Sequence, residues 1–183
     1  MAIWFITGTS TGFGREIALE ALARGDKVIA TARKLSAIED LAEKGAYTLS
    51  LDITSPEVTI KQTVAKAVEK YGGIDILVNN AGVGLLSCFE EVRFVQRFFW
   101  GVCRKSFADD RGSDEELRAL FNVNYFGHAN VTRAVLPYMR SKKSGVIGFI
   151  GSGAGRKTNK IHVETIPFSI TLTLCQRHET DLP

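Results

Sequence analysis

Three times in its first seventy-odd residues the chain passes from a short apolar run, through a turn, into a helical pattern. "AIWFITG" reads as a buried strand that stops at glycine. "GREIALEALARG" follows with helical spacing, with Ile17, Leu19 and Leu22 apolar and Gly25 as its stop. "DKVIATAR" is a second strand, and "LSAIEDLAEKG" a short helix with Ser36 as its expected N-cap. "AYTLSLDIT" is a third strand. The helix "SPEVTIKQTVAKAVEKYGG" is opened by Ser55 and Pro56 at N-cap and N1 and closed by Gly72. "IDILVNNAG" is a fourth strand. A polypeptide that alternates in this way has one economical solution, a parallel sheet with helices on both faces and right-handed crossovers. The fold class expected is therefore α/β, a doubly wound parallel sheet of the Rossmann type.

Later in the chain, "DEELRALFNVNYFGHANVTRAVLPYMRSKK" predicts a long helix with a glycine inside it and Pro137 near its end. "GVIGFIGS" is a fifth strand. With about five strands the sheet is expected to be incomplete. A chain of 183 residues with 45% hydrophobic residues is one domain in size, able to bury roughly 70% of its unfolded surface. Its formal charge of +3 is spread along the chain, with local excesses at Arg93–Arg111 and Lys142–Lys160. Both read as solvated surface, and nucleic acid is not an expected partner. Cys88, Cys103 and Cys175 are too few and too scattered for a disulfide framework or a metal site and read as free thiols. The first apolar run has no basic leader, and no stretch is long enough to span a bilayer. A cytoplasmic protein without membrane association is expected.

The chemistry starts at "TGTSTGFG", Thr7 to Gly14, between the first strand and first helix. Gly8, Gly12 and Gly14 let the backbone turn tightly and approach a pyrophosphate with no Cβ in the way. The helix that follows directs its N–H groups and positive dipole end at an anion. The alternative is a flexible Gly/Ser/Thr loop, and its place in a β-α-β unit argues against that. At the end of the second strand an acidic residue would hold a ribose 2′-hydroxyl and favour NAD(H). Here Ala32 is followed by Arg33, which could pair with a 2′-phosphate. NADP(H) is the expected cofactor, ahead of NAD(H); the competing reading of Arg33 is a solvated loop arginine.

"TGTSTGFG", "LDIT" and "NNAG" stand in the order and at the distances that resemble the short-chain dehydrogenase/reductase family. The resemblance covers Ala2 to about Glu91 and about Asp114 to Gly155. It implies an oxidoreductase interconverting a carbonyl and an alcohol on a small organic substrate, in a family whose members are often homo-oligomers. It implies that Gly8, Ser10, Gly12, Phe13 and Gly14 cradle the cofactor. It also implies that Asp52 and Ile53 flank the adenine ring, and that Asn80, Ala81 and Gly82 support the central strand and the ribose side. Without it, Asp52 reads as a strand-end cap and the two Asn residues as a turn. Its catalytic residues map to Asn124, at a break in the long helix, and to Ser152 after the fifth strand. Without the resemblance, Asn124 is a polar helix residue and Ser152 a turn serine beside glycines.

The family also uses a Tyr about a dozen residues beyond that Ser, and a Lys four residues further on one helix face. A phenol titrating near ~10 must be lowered by the Lys ammonium and the positive nicotinamide to work at neutral pH. The expected positions here are Thr165 and Ser169, and no Tyr follows Tyr138. Lys157 and Lys160 precede the site, Tyr125 and Tyr138 belong to the long helix, and His162 and His178 read as surface or packed residues. Little or no turnover is expected of the chain as written, which reads as a C-terminally truncated family member. The domain expected is 1–155, with an atypical insertion at 92–112 and an atypical tail at 156–183. A shared origin of both stretches in translated intron sequence would explain why the family pattern resumes after the first and not after the second. A basic-aromatic surface element is the alternative for the insertion. The alternatives for the whole are a non-catalytic nucleotide-binding or regulatory protein and an unstable product without function.

Overall fold

The structure, a computed structural model, describes residues 1–83 and 114–151. The insertion 92–112, the tail 156–183, Ser152, Thr165, Ser169 and the three cysteines lie outside the described residues.

Five strands form one parallel sheet in the order β3-β2-β1-β4-β5. They are β1 (Ile3–Thr7), β2 (Lys27–Ala32), β3 (Tyr47–Ser50), β4 (Ile76–Asn79) and β5 (Val146–Phe149). Strand alternation sends successive side chains to opposite faces. Phe5, Ile29, Leu77 and Ile147 point to one face and Ile6, Val28, Ala30 and Val78 to the other, so each face has its own core. The first is covered by α3 (Glu57–Tyr71), through Ile60, Val64 and Ala67, and by α5 (His128–Ser141), through Val131, Val135 and Met139. The second is covered by α1 (Gly12–Ala23), through Ala18 and Ala21, and by Ile38 and Leu41 around α2 (Glu39–Glu43). The doubly wound Rossmann arrangement is thus present, with the order reversing between β1 and β4.

Two helix starts differ from their sequence signals. Ser36 caps nothing: it lies inside a 3₁₀ turn, Leu35–Ala37, and α2 begins only at Glu39 with Ile38 at the N-cap. Ile38 is fully buried, and burying it breaks the run into two short pieces. For α3 the N-cap is Pro56 rather than Ser55, with Glu57 as the first helical residue. The stop signals behave as expected. Gly72, at φ +83°, is the left-handed C-cap of α3, and Gly25, at φ +81°, follows the end of α1.

The long helix is not continuous. Between α4 (Asp114–Phe121) and α5 lies a π-helical turn, Asn122–Gly127. Gly127 sits where a Cβ would come within 2.8 Å of the Ile53 side chain, which lets this turn lie against the β3–α3 connection.

At the N-terminal ends of the strands, two carboxylates tie the sheet together. Asp26 accepts hydrogen bonds from the Ala2 N–H (2.7 Å) and the Trp4 indole N–H (2.9 Å). Asp75 accepts from the Ile3 N–H (2.8 Å) and pairs with Lys142. The Asp75 peptide also bridges β1 and β5, through Ile3 and Val146.

Candidate functional site

At the C-terminal ends of β1 and β4, where the strand order reverses, open α/β sheets form their ligand crevice. The turn after β1 is built from backbone constraints. Gly8 has φ +71°, and a Cβ there would stand 2.7 Å from the Ala81 Cα. Gly12 has φ +62° and is the first residue of α1, after the N-cap Thr11. A Cβ on Gly14 would strike the Asn80 side chain and the Gly8 carbonyl. Glycine is required at Gly8 and Gly14 because the β1 turn and the β4 loop are pressed together, so the two halves of the crevice form one rigid unit.

Thr7 locks that unit. Its buried hydroxyl accepts from the N–H groups of Asn80 (2.9 Å) and Ala81 (3.0 Å) and donates to the Val78 carbonyl (3.3 Å). All the hydrogen-bonding capacity of one hydroxyl is used. The Asn80 amide donates in return to the carbonyls of Thr7 (2.9 Å) and Gly8 (3.0 Å). Thr9 and Thr31 continue the pattern between β1 and β2. Thr9 donates to the Thr31 carbonyl (3.2 Å) and Thr31 to the Ile6 carbonyl (3.0 Å), both side chains buried.

The start of α1 is left open. Thr11, at the N-cap, makes no side-chain capping bond, no acidic residue lies in the first turn, and Thr11, Gly12 and Phe13 are exposed. Phe13 is 75% exposed, an apolar ring at the rim. Uncapped N–H groups and the positive helix end favour an anion at this place. Arg15, one turn in, is directed elsewhere and pairs bidentately with Asp40 of α2. That contact raises the Arg15 pKa and lowers that of Asp40, so both stay charged.

At the end of β2, Ala32 is buried and Arg33 and Lys34 are exposed. The Arg33 carbonyl is held by the Ser50 hydroxyl, which fixes the backbone that carries the cation. After β3, Asp52 accepts from the Thr54 N–H (2.9 Å) and hydroxyl (2.7 Å), a local turn that holds the carboxylate in place. Ile53 is buried in the core against the π turn.

Across the crevice, Asn124 lies in the π turn. Its Oδ1 accepts from the Val83 N–H (2.9 Å) and its Nδ2 donates to the Val83 carbonyl (2.8 Å), so one side chain holds both sides of one residue's backbone. Of the residues singled out in the sequence, Gly8, Ser10, Gly12, Phe13 and Gly14 belong to one turn, which meets Asn80 and Ala81, while Gly82 lies beside Asn124. Asn124 joins them through Val83. Arg33, Asp52 and Ile53 follow the neighbouring strands, and Ser152 lies outside the described residues.

Three residues of the site were not singled out from the sequence: Thr7, Asn79 and His128. Asn79 is fully buried, donates to the Thr132 hydroxyl (3.0 Å) and leaves its Oδ1 without a partner among the described residues. The signal available for Thr7 and Asn79 was a polar residue closing an otherwise apolar strand. For His128 it was the spacing of four from Asn124, which puts both on one side of a helix. Among the described residues, no group of acidic, His or Cys side chains could hold a metal ion, and no helix is long and apolar enough to cross a membrane.

The chain is similar to known proteins. The oxidoreductase BOA17 of Botryotinia fuckeliana (strain B05.10) is 35% identical over 158 residues, covering 84% of this chain and 50% of that protein. The crystal structure of a short-chain dehydrogenase from Streptomyces avermitilis superposes with a TM-score of 0.71 at 38% identity, covering 86% of this chain and 51% of that one. The closed form of a serine dehydrogenase complexed with NADP+ superposes with a TM-score of 0.70 at 31% identity, covering 86% and 56%. The chain spans about half the length of the curated relatives it matches. The family model for short chain dehydrogenases matches residues 2–163, a little past Gly155, where the sequence motifs stop. With that match over most of its length, the chain belongs to the short-chain dehydrogenase family.

Proposed function

We propose that this chain forms the nucleotide-binding half of an NADP(H)-dependent oxidoreductase that interconverts a carbonyl and an alcohol on a small organic substrate. The observation that carries the reading is the start of α1, uncapped and free of carboxylates, set against the Gly8–Ala81 contact at the switch point of the sheet. The exposed Arg33 and Lys34 at the end of β2, after the buried Ala32, favour a 2′-phosphate over a bare ribose hydroxyl.

The residues present fit a dinucleotide. Gly12, Phe13 and Gly14 would hold the pyrophosphate with backbone N–H groups, and Ser10 with its hydroxyl. Arg33 would hold the 2′-phosphate, with Asp52 and Ile53 beside the adenine. When bound, the nicotinamide supplies or accepts the hydride. Asn80, through Thr7 and Gly8, keeps the turn from opening, and Asn124, through Val83, fixes the far side of the crevice. Phe13 would cover part of the ligand and exclude water. Ser152 would hydrogen-bond the substrate oxygen.

A second reading is favoured by one feature of the sequence. The positions that should carry the proton-transferring Tyr and its Lys hold Thr165 and Ser169. On this reading the chain binds the cofactor and does not turn it over, as a regulatory or nucleotide-binding protein. Titration of the purified chain with NADPH, followed by nicotinamide fluorescence and melting temperature, tests the shared part of both readings; absence of binding overturns both. NADPH oxidation with a panel of ketones and aldehydes then separates them. Measurable oxidation supports the enzyme, and saturable binding without oxidation supports the second reading.

A further inference from the structure

His128 opens α5 immediately after the π turn and is only 7% exposed. Its Nε2 lies 2.6 Å from the Ala81 carbonyl oxygen. A carbonyl only accepts, so Nε2 carries a proton there, and the neutral ring is the Nε2–H tautomer. The ring leans on Phe149 of β5, with centroids 6.1 Å apart at 48°, so it is wedged between the sheet and the loop after β4. Burial pushes its pKa down, against a smaller upward pull from the Ala81 carbonyl.

The loop after β4 has four N–H donors, at Asn80, Ala81, Gly82 and Val83. Thr7 takes the first two and Asn124 takes the last. The Gly82 N–H has no acceptor among the described residues, and Gly82 is exposed. The Ala81–Gly82 peptide is trans, so its N–H points opposite to its C=O. Glycine on one side gives this peptide little resistance to rotation. The hydrogen bond at the Ala81 carbonyl therefore decides which way the Gly82 N–H faces, and the group making that bond is His128.

The strand order adds a direction. Arg33 follows β2 on one side of β1, and Ala81 follows β4 on the other. A dinucleotide with its 2′-phosphate at Arg33 crosses the end of β1 and brings its nicotinamide half over the β4 loop. We infer that His128 is a positioning residue: by gripping the Ala81 carbonyl it presents the Gly82 N–H to an oxygen of the nicotinamide half of the bound dinucleotide. This inference rests on the dinucleotide reading of the site.

The test compares the full chain with His128→Leu, which keeps bulk and loses the donor, and His128→Gln, which restores an N–H at similar reach. NADPH and adenosine 2′,5′-bisphosphate, a probe of the adenine half alone, are titrated into each. Loss of one hydrogen bond to ligand predicts NADPH binding weakened about tenfold in His128→Leu. The bisphosphate should bind that variant as it binds the parent, and NADPH affinity should recover in His128→Gln. Equal loss for both ligands, or no loss for either, overturns the inference. If the parent binds neither ligand, it is the dinucleotide reading that fails. The Gly82 amide resonance of the ligand-free chain then decides for His128: it must move in His128→Leu and return in His128→Gln, and a resonance that stays put overturns the role. If His128→Leu does not fold, imidazole ¹⁵N correlation spectra of the parent serve instead. The Nε2–H tautomer supports the inference, and the Nδ1–H tautomer overturns it.

Discussion

At the N-terminal ends of the strands the sheet is tied by carboxylates; at the C-terminal ends it is tied by hydroxyls and amides. Asp26 and Asp75 gather the first residues of β1 and, through Lys142, the end of α5. Thr7, Thr9, Thr31, Asn80 and Asn124 do the equivalent work at the crevice without a formal charge. The two solutions differ in what they leave for a ligand. A carboxylate beside the uncapped start of α1 would oppose an anion there, whereas neutral groups hold the loops and leave the field of the helix end intact. They differ also in their response to pH. The Ala2 N–H and the Trp4 indole hold Asp26 below the usual carboxylate range. For Asp75, burial raises the pKa, but Lys142 and the Ile3 N–H together outweigh it and the net shift is downward.

The largest effect expected at either end is that of Gly8→Ala. It combines a left-handed φ with a Cβ pressed on Ala81, and should cost about 3 kcal/mol or more. Urea unfolding measures it; a cost well under 1 kcal/mol would mean that the two halves of the crevice are not rigidly joined. Thr7→Val comes next. It keeps the volume and strands the partly buried N–H groups of Asn80 and Ala81, which predicts a loss of about 2 kcal/mol, while Thr7→Ser should recover most of it. Third, if Arg33 makes the proposed charge-assisted contact with a 2′-phosphate, Arg33→Asp should lower the ratio of NADPH to NADH affinity by tenfold or more, on the order of 1.5 kcal/mol. An unchanged ratio would return Arg33 to its reading as a solvated loop residue.

The smallest effect is at the opposite end. Asp75→Asn should cost under about 1 kcal/mol at neutral pH, because its ion pair is partly exposed. The folded pKa of Asp75 lies below its ordinary 3.8, so its contribution is present above that value and is lost as the pH falls through the folded pKa. Parent and variant should therefore converge in stability in strong acid. A gap of constant size down to pH 2 would show that the tie is one of shape rather than charge. His128 adds a second and separate slope. With its folded pKa below the ordinary 6.5, the unfolded chain takes up a proton first, and stability falls as the pH drops below about that value.

The strands were legible because their cores are nearly continuous apolar runs, and the stops because Gly25 and Gly72 have the φ that only glycine takes readily. Gly8 and Gly14 were read in the sequence as making room for a pyrophosphate; the surfaces they press on in the structure, Ala81 and Asn80, lie some seventy residues away and had to be supplied by the fold. Ser36 and Ser55 misled because capping signals are local, whereas the burial of Ile38 set the true boundary of α2. Asn124 needed the family motif, since "FNVNYFG" by itself reads as plain helix. Thr7 and His128 escaped notice because their partners are backbone groups, and a sequence does not say which carbonyl or N–H a side chain will meet.

The π turn at Asn122–Gly127 has a consequence for how this segment tolerates change in length. Each residue of an α-helix turns the chain by about 100°. Deleting one residue from the π turn would let α4 run into α5 as a regular helix, with every local hydrogen bond intact. Because a π turn winds less per residue than an α turn, the same deletion would leave Val131, Val135 and Met139 close to their present phase relative to Leu120. The wide turn thus stores one residue more than a regular helix would hold, and what it gains is the placement of Asn124 on Val83 and of Gly127 on Ile53. Substitution should be tolerated at the exposed Asn122, Tyr125 and Phe126 and not at Asn124, whose amide holds Val83, or Gly127, where a Cβ would meet Ile53.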